Sequence, residues 1–340
     1  MLKIFKIVFL IFGTVVGSGF SSGKEIMIYF SRFGNASYAY IVLAGILFFC
    51  LFYFFLRAGN KILKLAESSK IIKATIFLIS LVFCSSMFAG VESLFSFLPL
   101  WVNVCLFLLI IFFCFNVIIK GVDGLEKANI ILMPITSLIF ICVLIYGLFF
   151  KSGFDFSANG IAGIVYCPLY VTLNTSMSGL IIAEAGEGLN KKQAFYASLF
   201  STLLLLFFLI LGNVVLQQNA ESILSEMPFL HLAERSKIMF FATYLIILVG
   251  CFTTLISLCS TLKSSISKVV KTDRNSAFLA IILPLCLSML GFSEIVSMLY
   301  PVCSVLGILI LLFFIFSFKQ TDQIIHQKRK DTKYCCRRHN

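Results

Sequence analysis

FGTVVGSGFSSGKEI, residues 12–26, falls inside the first long apolar stretch of the chain. Glycines at 13, 17, 19 and 23 and serines at 18, 21 and 22 are poor material for a helix in lipid. The adjacent pair Lys24–Glu25 then places two charges near membrane depth. In hydrocarbon every backbone N–H and C=O needs an internal partner, so non-helical backbone survives only where it lines a cavity or is buried in protein. The stretch therefore reads as a deliberate interruption of a membrane helix, whose freed amides and carbonyls are available to a ligand.

The surrounding composition requires a bilayer. Of 340 residues, 60% are hydrophobic and 12% charged, with a mean hydropathy of +1.04. Soluble domains sit near half apolar and a quarter charged, and a single core cannot absorb the excess. The net charge of +12 does not point to nucleic acid, because the basic residues lie in short connections and in the tail rather than along a stripe. The 12 cysteines are scattered mostly through apolar segments without a paired spacing, which suits thiols packed between helices. Cys335, Cys336 and His339 in the tail invite metal binding or lipidation, but reduced, solvated thiols account for them as well. Lys3 and Lys6 before an apolar run imitate a signal peptide; without a convincing cleavage site, the segment reads as a retained helix.

A helix needs about 20 apolar residues to cross the hydrocarbon. That ruler gives ten spans: 4–31, 36–57, 73–98, 100–119, 128–150, 159–185, 192–217, 236–262, 276–292 and 294–318. The least defined divisions fall at Pro99 and at GFSE, 291–294. With the amino terminus cytoplasmic, twenty-two of the 27 basic residues fall on the cytoplasmic side, against Arg32, Lys151, Arg235 and Lys237 outside. Lys and Arg bias sets orientation, so both termini are expected to be cytoplasmic. Residues 218–235 alternate apolar and polar positions at helical spacing and read as an amphipathic helix over the outer mouth, with an exposed loop as the alternative. The expected organisation is one all-α domain over 1–318, with repeats of about 4–150 and 159–318, followed by a basic cytoplasmic tail, 319–340.

The sixth span offers a second interruption. VTLNTSMSG, 171–179, concentrates Thr172, Asn174, Thr175, Ser176 and Ser178 at depth. Interruptions at the first span of each group of five point to the binding site of an inverted-repeat transporter. The competing reading is that small residues only permit close helix packing. In the eighth span, Thr253, Thr254 and Ser257 share about one turn; their hydroxyls either bond back to the preceding turn or ligate a hard cation through oxygen. Charges within spans are costly and usually functional, which marks Lys24, Glu25 and Glu92 for a proton or charge role. An enzyme is not expected: His231, His326 and His339 lie outside the spans, and no nucleophile–base pair or phosphate loop appears.

GSGFSSGKEIMIYFSRFG, 17–34, resembles the glycine-rich first helix of YkvI-type bacterial membrane proteins, within the amino acid–polyamine–organocation superfamily. That resemblance implies a leucine-transporter-like fold in a bacterial cell membrane: a five-plus-five inverted repeat with helices one and six unwound at the substrate site. The substrate site would then draw on Gly17, Ser18, Gly19, Ser21 and Ser22 from the first helix and on Thr172, Asn174, Ser176 and Ser178 from the sixth. By the same resemblance, a sodium ion would be held by the carbonyls of Gly13, Val16 and Gly250 and the hydroxyls of Thr253 and Thr254. Some relatives replace sodium by a fifth-span lysine; here 129–147 carries no charge, which favours Na+ over H+ as coupling ion. Lys24 departs from the family's glutamine. The implied function is alternating-access transport of a small organic solute, an amino acid or related compound, with a sensor that binds without transporting as the alternative.

Overall fold

In the computed structural model the described residues are 2–120, 125–150, 160–219, 221–222 and 225–317. The tail residues Cys335, Cys336 and His339, and Lys151, lie outside them. Among the described residues the regular elements are helical. The first passage is built in three pieces, α1 (Leu2–Val15), α2 (Ser18–Ser21) and α3 (Lys24–Tyr29). Then come α4 (Ala36–Ser68), α5 (Lys70–Phe95), α6 (Leu100–Lys120), α7 (Leu125–Leu148), α8 (Gly163–Ala185), α9 (Lys191–Gln218), α10 (Pro228–Ala233), α11 (Lys237–Ile266) and α12 (Asp273–Ser288). The last, α13, runs over Phe292–Ser317 and passes through a π-helical turn at Ile295–Leu299.

Seven of these passages are long and apolar enough to cross a membrane: α4, α5, α6, Gly160–Ala185, α9, α11 and α13. By length and composition, the chain is an all-α, multi-pass membrane protein. α6 shows how the lipid solvent is written into the sequence: Leu100, Trp101, Leu108, Leu109, Phe112 and Phe113 are all exposed on it. In water this face would be an association site; in a bilayer it needs no partner.

The break in the first helix is real and has two joints. Gly17 is extended (φ −96°, ψ −163°), and its amide donates to Val15 O at 3.0 Å instead of to Gly13 O one turn back. Gly23 is left-handed (φ +87°), a conformation that any side chain with a Cβ resists. The second interruption, expected in the sixth span, is absent. α8 is continuous through 171–179, and its hydroxyls bond to carbonyls of the preceding turn: Thr175 to Val171 O (2.8 Å), Ser176 to Leu173 O (2.8 Å) and Ser178 to Asn174 O (2.7 Å). Serine and threonine can satisfy themselves within a helix this way, so their clustering did not require unwinding.

The glycines around this stretch serve packing against α4. A Cβ on Gly179 would stand 2.6 Å from the Phe55 ring; one on Gly186 would strike the Leu56 backbone, and one on Gly59 would strike Ala183 O. Without a hydrophobic drive between helices in lipid, such close backbone approach is a main source of association. α4 itself runs eleven residues beyond the expected end at 57. The extension is amphipathic, with Ile62 and Ala66 buried and Lys61 and Lys64 exposed, so it continues as helix past the apolar stretch. The divisions at Pro99 and GFSE fall where expected, between α5 and α6 and between α12 and α13.

Residues 218–235 depart from expectation. Among the described residues there, the α-helix that follows the end of α9 is the short Pro228–Ala233, Pro228 having no N–H to extend the helix backward. Phe229 and Leu230 are buried rather than spread over a surface. The amide of Phe229 donates to Ser22 O at 2.9 Å, the carbonyl that the break leaves free.

The α4–α8 contact yields a stability test. Gly59→Ala places a methyl on a carbonyl that cannot retreat without moving α8, so a loss of about 1–3 kcal/mol is expected from overpacking. Thermal unfolding in detergent should show a lowered Tm, whereas Gly160→Ala, whose Cβ would make an ordinary 3.4 Å contact, should leave it unchanged.

Candidate functional site

The broken segment is the centre on which α5, α8, α11 and α13 converge. Ser18, Gly19, Ser21 and Ser22 are all buried. Ser21 Oγ donates to Gly17 O (2.7 Å) and Ser22 Oγ to Gly19 O (3.1 Å), so these two hydroxyls bind the break to itself. Ser18 behaves differently: its Oγ has no hydrogen-bond partner, although the Cys251 thiol of α11 lies beside it. Gly90 of α5 completes that wall, a Cβ there standing 3.4 Å from both Ser18 Cβ and Cys251 Sγ.

Lys24 and Glu25, neighbours in sequence, go to different places. Lys24 is 7% exposed and reaches outward: its Nζ donates to Ser225 O at 3.3 Å, with Glu226 and Glu294 the carboxylates in electrostatic reach. Glu226 in turn accepts from Ser93 Oγ at 2.9 Å. Glu25 turns inward and is 3% exposed. Its carboxylate folds over Gly19, occupying the space a Cβ would take, and its Oε2 has no partner. Tyr29, Tyr170 and Tyr300 lie within its electrostatic reach. Glu92 is exposed at the far end of α5 and does not join this group.

A cavity of about 100 Å³ opens between α1, α5, α8 and α11. Gly13, Ser176, Thr253 and Thr254 line it, four residues that the sequence singled out for ligand or cation binding. Ser257, read with Thr253 and Thr254 as one hydroxyl-bearing face, lines it too, and Thr14 and Ser80 add hydroxyls that were not assigned to the site. Val16 and Gly250 are not among its lining residues but meet each other: a Cβ on Gly250 would stand 3.6 Å from Ser21 Oγ and 3.9 Å from Val16 O. The interrupted α1 and the hydroxyl-bearing face of α11 are thus in contact, with the carbonyl of Gly13 relieved of its regular amide. Thr253 Oγ1 donates to Val249 O at 2.9 Å, which leaves its lone pairs as the oxygen available to a cation.

The sixth-span residues divide. Ser176 lines the cavity and also packs on Gly307 of α13, 3.1 Å from a Cβ there to Ser176 Oγ. Thr172 faces α13 and donates to Ser304 O at 3.1 Å, so it is not at the break. Asn174 bonds Tyr170 O at 3.1 Å, and Ser178 is internal to the helix. The residues that sequence reasoning missed are the three tyrosines. Tyr29 Oη pairs with Ser304 Oγ (3.4 Å) and Tyr300 Oη with Ser86 Oγ (2.6 Å), while Tyr170 Oη is buried beside the Asn174 side chain without a hydrogen bond of good geometry. Their signal was present: each is a phenol at depth in an apolar run, where an O–H must find a partner or a ligand.

No protein-family model matches the chain, and no curated protein is similar to it by sequence.

The Glu25–Gly19 contact can be read by a double-mutant cycle. Gly19→Ala should destabilise the protein, because the methyl and the carboxylate compete for one space. In a Glu25→Ala background the same substitution should cost markedly less. A coupling of about 0.5–3 kcal/mol is the range for touching residues, measured as the difference in unfolding free energy.

Proposed function

We propose that this chain is a secondary active transporter of a small organic solute, an amino acid or a related compound, working by alternating access and coupled to Na+ (or H+). The observation that carries the reading is the cavity lined by Gly13, Ser176, Thr253 and Thr254, set against a first helix interrupted at Gly17 and Gly23. Interrupted helices that free backbone groups beside a polar cavity are the recurrent way in which transporters bind ions and solutes at depth. Ten passages are proposed, counting α1–α3 as one and adding α7 and α12 to the seven long helices. In this arrangement the two groups of five have opposite orientation, with both termini cytoplasmic in a bacterial cell membrane. The resemblance to the amino acid–polyamine–organocation superfamily supports that arrangement; the continuous α8 departs from it.

The mechanism follows from the joints. A helix hinged at two glycines can tilt its halves separately, opening the cavity to one side while the segment around Phe229 covers the other. The carbonyls of Gly13, Val16 and Gly250 and the hydroxyls of Thr253 and Thr254 would hold the sodium ion, an all-oxygen set suited to a hard cation. One co-moving charge supplies about 2.3 kcal/mol per 100 mV of membrane potential.

A receptor that keeps this fold and binds its ligand without moving it is the competing reading. One observation favours it: α8 is unbroken, so the second helix expected to hinge does not. Net flux into vesicles separates the two, since ligand binding alone is common to both.

The coupling ion is tested by solute binding on purified protein, with an amino-acid panel in sodium and then in potassium. Wild type should bind in a sodium-dependent way. Thr254→Ala, which removes one hydroxyl from the cavity wall, should raise the apparent sodium Kd about tenfold, or ~1.4 kcal/mol. Solute binding indifferent to sodium and to this substitution would remove the sodium site.

A further inference from the structure

We propose that Glu25 is the receptor for the ammonium end of an organic solute, seated among the rings of Tyr29, Tyr170 and Tyr300. The proposal rests on the transporter reading for the fate of the ligand, but not for its binding.

Three independent features converge here. The first is an uncompensated carboxylate. Glu25 is 3% exposed, its Oε2 has no hydrogen-bond partner, and among the described residues no cationic side chain pairs with it. Its neighbour Lys24 is committed to Ser225 O and faces Glu226 and Glu294. A carboxylate at membrane depth is costly and is normally retained for a partner.

The second is the number of vacant acceptors. Ser18 Oγ and Tyr170 Oη are also buried, with the Cys251 thiol beside the first and the Asn174 side chain beside the second, and neither makes a hydrogen bond of good geometry. Ser18 adjoins Gly19, over which the Glu25 carboxylate folds, and Tyr170 lies in electrostatic reach of Glu25. Buried polar atoms are nearly always hydrogen-bonded, so an orphaned carboxyl oxygen on α3 beside two poorly satisfied hydroxyls on α2 and α8, all around one break, describes a site rather than an accident of packing. An alkylammonium carries three N–H donors, equal in number to these three oxygens.

The third is the wall. Tyr29 and Tyr170 lie with ring centroids 5.3 Å apart, Phe30 and Phe48 meet Tyr170 edge-on at 4.9 and 5.8 Å, and Phe83 packs on Tyr300 at 4.6 Å. Aromatic faces attract weakly hydrated organic cations. A metal ion of the Na+ type prefers a shell made of oxygens throughout, as the hydroxyl-lined Gly13–Thr254 cavity offers; around Glu25 the few oxygens stand among aromatic rings, which favours an organic cation. The two sites therefore divide the labour by chemistry. From Ser176 at the cavity to Tyr170 at the box is six residues of α8, about 9 Å along its axis, close enough for a small solute leaving one to enter the other.

The test uses the full chain in lipid nanodiscs in potassium buffer, with calorimetry and thermal unfolding as readouts. The probes are two amines, tyramine and n-butylamine, and their carboxylate counterparts, 3-(4-hydroxyphenyl)propionate and butyrate. The amines should bind and raise Tm, and the acids should do neither. Glu25→Gln should weaken amine binding at least about tenfold, while Glu25→Asp should retain part of it. Tyr170→Phe, which keeps the ring and loses the hydroxyl, gives a second reading by a smaller loss if Glu25→Gln does not fold. Acids binding as tightly as amines, amine affinity unchanged in Glu25→Gln, or no amine binding in wild type would overturn the proposal. Stabilisation by added sodium chloride that depends on Glu25 would overturn it too, by making the carboxylate a metal-ion ligand. Amine binding without flux in liposomes would leave the Glu25 site standing and remove the carrier. Flux of a zwitterionic amino acid unaffected by Glu25→Gln would do the reverse.

Discussion

Backbone hydrogen bonding in a medium without water is the constraint that organises this molecule. A helix may be broken in lipid only if neighbouring protein takes up what the break releases. Here the break between Val15 and Lys24 is covered on every side. Phe229 supplies an amide to Ser22 O; Ser21 and Ser22 bend their hydroxyls back onto Gly17 O and Gly19 O; Gly250 brings α11 against Val16. The placement of α5, α8, α11 and the 225–233 segment follows from the need to enclose these few residues.

The same enclosure explains why Lys24 and Glu25 can be adjacent. The left-handed Gly23 starts a new helix whose first residues diverge. The long, flexible lysine reaches the polar segment at Ser225, where its ammonium finds a carbonyl and two carboxylates nearby. The shorter glutamate cannot reach that layer and lies back over Gly19. One residue thus ties the break to a surface segment, while the other carries a carboxyl group into the core. A break composed only of glycine and serine would have offered dipoles; Glu25 adds a group that can carry a charge.

The first interruption was legible in the sequence because glycine and a left-handed turn are linked by sterics: few other residues could hold Gly23's φ. The second was misread because serine and threonine are ambiguous. Their hydroxyls suit an unwound ligand site, yet they suit a continuous helix equally when each bonds the preceding turn, as Thr175, Ser176 and Ser178 do. Gly179 in the same helix and Gly186 at its end answer to Phe55 and Leu56 on α4. That partner lies more than a hundred residues away, and nothing local could announce it. Thr253 and Thr254 were legible as a face because one turn of one helix suffices. The tyrosine box was not, since its three rings come from α3, α8 and α13 and meet only in the folded chain.

What the two polar centres share is a wall, and this bears on how binding at one is felt at the other. Val16, just before the short helix, and Ser21, at its end, approach Gly250 on the cavity side, while Ser18 and Gly19 of the same helix face Cys251, Gly90 and Glu25. α2 has four residues between a joint at Gly17 and a joint at Gly23. An element that short cannot bend within itself; it can only rotate or shift as a unit. A cation drawing on Val16 O and a ligand drawing on Glu25 would therefore act just beyond the two joints, with this one rigid piece between them. Coupling between sites requires a shared element with two arrangements that both ligands bias. The four-residue helix between two glycines is the element in this chain best shaped for that role.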